Sequence, residues 1–205
     1  MSQPGVYADV KLSEFIPYSS IIENVPQLLR ETHNKPVPME QLNINNGNGQ
    51  SYGYIVYRKQ LILKSGMKLT IRGHPRDIVQ VMVDGVQVTP GIYNLLDLGQ
   101  NFGSWAVRDA EFEFSDELSE ACSDEAGCTL DLMVENLGRA NFGAPHNFEQ
   151  KKGLWEGDVL LDNVPLDDWE HIALEMKPQE RFKKFQFPRS KNDVLQSRGV
   201  GGWVH

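Results

Sequence analysis

The sequence predicts an all-β fold, an antiparallel sandwich or barrel, on three observations. Short segments of β-branched and aromatic residues alternate apolar and polar side chains with a period of two. Gly, Asp and Asn turns separate those segments. Helical periodicity is scarce along the chain, and many short strands without it favour a sandwich or barrel.

In chain order, residues 19–33 (SSIIENVPQLLRETH) offer a Ser suited to a helix cap. Pro26 forbids a long helix there, so an extended connection with one helical turn is expected. Residues 43–51 (NINNGNGQS) read as a polar, glycine-rich, mobile loop. Residues 52–63 read as a strand, with Tyr54, Val56 and Arg58 on one side and Ile55 and Tyr57 on the other. Residues 67–73 set Met67, Leu69 and Ile71 against Lys68, Thr70 and Arg72, the pattern of a half-buried strand. Residues 77–91 give a strand, an Asp84-Gly85 turn and a second strand, because Asp-Gly tolerates positive φ in a tight hairpin. Further strands are expected at 109–115, 129–136, 157–166 and 171–176. The acidic segment 115–127 reads as an exposed excursion between two of them. From Lys177 the chain turns basic and loses its alternation. The expected organisation is residues 1–35 as an N-terminal strand and extended connection, 36–176 as the sandwich core, and 177–205 as a linker or disordered tail.

A chain of 205 residues buries roughly 70% of its unfolded surface, enough for a core without metal or disulfide support. With 20 Lys+Arg against 28 Asp+Glu the net charge is −8. That argues against nucleic acid, whose counterions are displaced by clustered cations, and against docking on anionic membranes. No apolar run approaches the ~20 residues of a membrane span, and the first fifteen residues lack the pattern of a signal peptide. If Met1 is the true start, the expected compartment is the cytoplasm. Five residues lie between Cys122 and Cys128 in the acidic stretch SEACSDEAGCT. They read either as a small-loop disulfide in an oxidising compartment or as two surface thiols.

Catalytic patterns are missing. There is no Gly-x-Ser-x-Gly elbow and no phosphate-binding glycine loop. The five histidines are scattered singly and the cysteines are not spaced as metal ligands, so no metal and no cofactor is expected. Glu111 and Glu113, the most conspicuous carboxylate pair, share one side of one strand, which is the pattern of a solvated face. No catalytic residue is assigned.

Residues 130–154, LDLMVENLGRANFGAPHNFEQKKGL, closely resemble a strand and loop of the β-galactosidases of glycoside hydrolase family 35. The resemblance rests on Leu130, Leu132, Val134, Glu135, Asn136, Leu137, Gly138, Arg139, Phe142, Gly143, Lys152 and Gly153. YGYIVYR at 52–58, DIVQVMVDGVQV at 77–88, DDWEHIAL at 167–174 and the approach PVPMEQLN at 36–43 agree with it in order, so it covers roughly Tyr7 to Met176. It implies the first β-domain after the catalytic barrel, a galactose-binding-domain-like jelly roll. The catalytic glutamates of that family sit on the barrel, and no residue here can receive them. The resemblance also implies that a catalytic domain, or another protein, covers a face left vacant here, and that the compartment is lysosomal or extracellular if this is a piece of such an enzyme.

A fold name does not establish sugar binding. If β-galactosides are bound, Arg139, Asn141, His146 and Asn147 would supply hydrogen bonds, with Phe142, Trp105 or Trp155 stacking on the ring. On the structural reading, which is preferred, Arg139 ties a corner through loop carbonyls and Phe142 caps the core. The second candidate is the loop 98–108, where Asn101, Phe102, Trp105 and Arg108 mix the same residue types.

Overall fold

The computed structural model describes residues 15–115, 122, 127–148 and 150–176. The expectations for the tail 177–205 and for most of the acidic segment lie outside them. Among the described residues, ten strands form two antiparallel sheets, as predicted. They are β1 (Arg30–His33), β2 (Tyr54–Leu61), β3 (Lys68–Ile71), β4 (Ile78–Val83), β5 (Val86–Gln87), β6 (Ala110–Glu113), β7 (Cys128–Glu135), β8 (Val159–Leu161), β9 (Val164–Pro165) and β10 (Trp169–Leu174). The larger sheet runs β1-β10-β2-β7-β4-β5 and the smaller β6-β3-β8-β9.

The period of two is what lets the sheets pack. Ile55, Tyr57, Val79, Val81, Leu130, Leu132 and Val134 of the larger sheet meet Leu69, Ile71 and Val159 of the smaller in one core, closed by Phe114, Leu154 and Trp169. Asp84 and Gly85 both adopt positive φ in the β4–β5 hairpin, 47° and 81°. Glu111 and Glu113 are solvated.

Three expectations are corrected. Residues 18–33 hold the helical turn expected there, as the short helix α1 (Tyr18–Glu23), but continue as a 3-10 turn (Gln27–Leu29) and the edge strand β1 rather than as an extended connection. No serine caps α1, which follows Pro17 directly. The loop at 43–51 is not loose: Ile44 and Gln50 are buried, and the Gln50 side chain donates to the carbonyls of Tyr52 and Tyr54. The segment before Trp105 holds a helix, α2 (Leu95–Gln100), capped by Asn94, whose side chain accepts from Leu96 and Asp97 N–H.

Helix α1 explains why the central strands are apolar on both faces. Ile22 is fully buried against Val56, Met82, Met133, Ile172 and Leu174 on the outer face of the larger sheet. Burying one such side chain contributes about 2 kcal/mol. Beside this second core, Asp131 is fully buried. It accepts from Arg58 Nε and Nη2 at 2.7 Å each and from Tyr18 Oη at 2.9 Å. Burial, reinforced by the Asp131 carboxylate, raises the Tyr18 pKa. Cys122 and Cys128 are joined as a disulfide, their Cα atoms 5.0 Å apart.

Candidate functional site

Both candidate loops gather at one end of the sandwich. There β2 begins and β7 ends (Tyr54 opposite Glu135), and β4 begins beside them (Ile78 opposite Glu135). The segment 73–77 lies between the loops and ties them together. Arg76 and Gly153 exchange backbone hydrogen bonds of 3.1 and 2.6 Å. Ile78 bridges to Ser104. The His74 ring meets the Trp105 carbonyl at 3.0 Å.

Three ion pairs at this end hold their charges on one another. Arg139 donates to the Ser51 carbonyl at 2.7 Å and to the Glu40 carboxylate. The Glu40 carboxylate also accepts the Lys152 amide, at 3.0 and 3.2 Å. The Lys152 ammonium, only 3% exposed, holds both oxygens of Asp77 at 2.7 and 2.8 Å. Asp77 further accepts the Leu137 amide at 2.8 Å. Arg76 grips Glu156 through Nε and Nη2 at 2.8 and 2.6 Å. Burial works to raise the Glu156 pKa, but the His74 amide and the Arg76 guanidinium outweigh it and hold the carboxyl below its usual range. The three pairs tie segments far apart in the chain into one corner.

The residues singled out from sequence divide accordingly. Arg139 is committed to Glu40 and Ser51. Asn101 is half-buried and donates to the Gly91 carbonyl. Phe102 packs on the core beside Phe112 rather than facing solvent. Asn141 is exposed, and Phe142 does not cap the core, because it is 90% exposed. Trp105 and Trp155 are partly exposed, with the Lys151 ammonium 5.6 Å from the Trp155 ring and the Trp155 Nε1 donating to the Lys151 carbonyl. His146 lies in a 3-10 turn (Pro145–Phe148); its side chain and that of Asn147 are outside the described residues. The corner therefore offers solvent an apolar set, Phe142, Phe148, Leu137, Trp105 and Trp155. Sequence reasoning missed Glu40, Asp77 and Glu156. Glu40 and Lys152 stood inside matched motifs, but nothing local paired them.

One grouping of metal-ligating types occurs among the described residues, Asp84 with Cys122 and Cys128 within 4.8 Å. Its two sulphurs are bonded to each other and Asp84 accepts the Thr129 amide, so the donor set does not fit an ion. Among the described residues no helix is long and apolar enough to cross a membrane.

Two antiparallel sheets closed at one end by this corner define an all-β domain. The family described as "Beta-galactosidase, first all-beta domain" matches residues 108–175. Beta-galactosidase-1-like protein 3 of Homo sapiens is 33% identical over 173 residues, which is 84% of this chain and 22% of that protein. Beta-galactosidase-1-like protein 2 of Homo sapiens is 32% identical over 151 residues, 74% of this chain and 19% of its own length. The beta-galactosidase of Xanthomonas manihotis is 29% identical over 165 residues, 80% and 23% respectively. The chain is similar to the first all-β domain of β-galactosidases, and it spans about a fifth of the length of these relatives.

Proposed function

We propose that this chain is a non-catalytic, structural β-domain of the glycoside hydrolase family 35 type. Its exposed apolar corner is covered by the catalytic domain of a glycosidase that hydrolyses terminal β-galactosides. The observation that carries this reading is the self-pairing of the corner. Arg139, Lys152 and Arg76 each hold a carboxylate within the domain, so the cations that would grip sugar hydroxyls are already engaged. What remains outward is apolar and aromatic, the composition of a protein contact.

A second reading, a weak galactoside-binding module, draws on the exposed rings of Phe142, Trp105 and Trp155, which suit stacking on a sugar. Amide NMR titration with galactose, lactose and glucose, into the millimolar range expected of weak sites, separates the two. The structural reading expects a flat titration. Saturating shifts that cluster at 98–108 or 136–147 and differ between galactose and glucose would establish the binding module instead. Turnover of a chromogenic β-galactoside by the pure protein would overturn both.

A further inference from the structure

At the inner face of β10, His171 is fully buried, and both ring nitrogens are committed. The Val37 amide points at Nε2 from 3.0 Å. A backbone N–H can only donate, so Nε2 is the acceptor and the ring proton sits on Nδ1, donating to the Trp169 carbonyl at 3.1 Å. The neutral ring is therefore built into the fold. A second proton would have to enter at Nε2, directly against the Val37 N–H.

Val37 begins a relay to the exposed corner. Its carbonyl accepts from Tyr57 Oη at 2.9 Å, and that oxygen accepts the Leu154 amide at 2.9 Å. Two residues on, the Met39 amide donates to the Lys152 carbonyl at 2.8 Å, and Glu40 holds Lys152 N–H and Arg139. Pro36 and Pro38 flank Val37 and stiffen the segment. Val37 is thus connected through hydrogen bonds to the loop that carries the corner.

We propose that His171 is an acid-operated latch: protonation at Nε2 expels the Val37 amide and loosens the corner formed by residues 136–148 and 150–156. The groups facing the ring are His33 and Glu31 from β1 and Tyr57 from β2, with the rings of His33 and Tyr57 edge-on at 4.7 and 4.9 Å. Glu31 is engaged by His33 Nε2 at 2.9 Å, and neither His171 nitrogen bonds a carboxylate that would welcome the extra proton. Glu40 and Lys152 stand further out along the relay. Burial, assisted by the neighbouring His33, pushes the His171 pKa down to about 4 from 6.5. Because the released ring binds protons more tightly than the latched ring, the latch holds fully above about pH 6.5 and weakens as pH falls toward 4.

Amide hydrogen exchange, corrected for the intrinsic pH dependence of exchange, reads this directly. Between pH 7.5 and pH 5 the opening constant at Val37, Leu154 and Lys152 should rise about 30-fold, with Leu130 and Leu132 of β7 changing far less. His171→Gln keeps an acceptor without a titrating group and should abolish the rise, while His33→Gln should retain it. In the unaltered protein, imidazole nitrogen shifts should show neutral His171 with its proton on Nδ1 at pH 6, whatever the variants do. Exchange at Val37 and Leu154 that is independent of pH, or that rises in step with β7, would overturn the latch. So would a rise that persists in His171→Gln and vanishes in His33→Gln, or a charged His171 at pH 6.

Discussion

Replacing Asp131 by Ala tests how far the outer core depends on one buried carboxylate. Asp131 is completely shielded, while the Arg58 side chain keeps 26% exposure and the Tyr18 hydroxyl is the second partner. Removing one member of a buried, hydrogen-bonded ion pair costs about 3–5 kcal/mol, because the partner is left buried and uncompensated. Arg58 is exposed enough to recover some hydration, so the expected loss is about 3 kcal/mol. With a urea slope of about 2 kcal/mol per molar, the unfolding midpoint should fall by about 1.5 M with the slope unchanged. Replacing the whole cluster by apolar residues, Arg58→Met and Asp131→Leu with Tyr18→Phe, should restore most of that loss, since a buried pair gains little over well-packed hydrocarbon. A midpoint shift below about 0.5 M for Asp131→Ala would refute the argument, because the carboxylate would then be stabilising no buried partner.

Gly153 runs at φ +116°, and a Cβ there would sit 2.1 Å from Tyr57 Oη, so Gly153→Ala should cost about 2–3 kcal/mol by thermal melting. Gly138→Ala, at φ +102° with nothing within 4 Å, should cost only about 1 kcal/mol. Arg139→Ala, which removes a pair about one-third exposed, should lower stability by about 0.5–1 kcal/mol and, on the structural reading, leave sugar titrations unchanged. Reducing Cys122–Cys128, which closes a loop at a sequence separation of six, should cost about 2 kcal/mol and lower Tm by about 4–8 °C in a scan with and without reductant.

The strands were legible because their signal is local. Leu69 and Ile71 alternate with Lys68 and Thr70, and Asp84-Gly85 announces its own turn, so no distant residue is needed to place them. Even so, Thr70 is buried at an outward position, which alternation alone does not forecast. Helices α1 and α2 were harder to see. Each is six residues long, too short for a helical period to emerge, and α1 exists largely because Ile22 can bury itself against Val56 and Ile172. The glycine-rich loop at 43–51 was misread for a similar reason. Its composition suits mobility, yet Ile44 and Gln50 find partners contributed by other segments.

Sequence by itself determined the all-β class, most strand positions, the Asp84-Gly85 hairpin and the β-galactosidase resemblance centred on residues 130–154. Each follows from residue type at short spacing. Tertiary structure alone decided what the conspicuous polar residues do. Arg139 reaches Glu40 across 99 positions, Lys152 reaches Asp77 across 75, and His171 receives Val37 across 134. A cation in a loop looks the same in sequence whether it faces a ligand or a carboxylate of its own domain. The difference lies in which side chains the packing of the two sheets brings within about 3 Å, the range at which hydrogen bonds form.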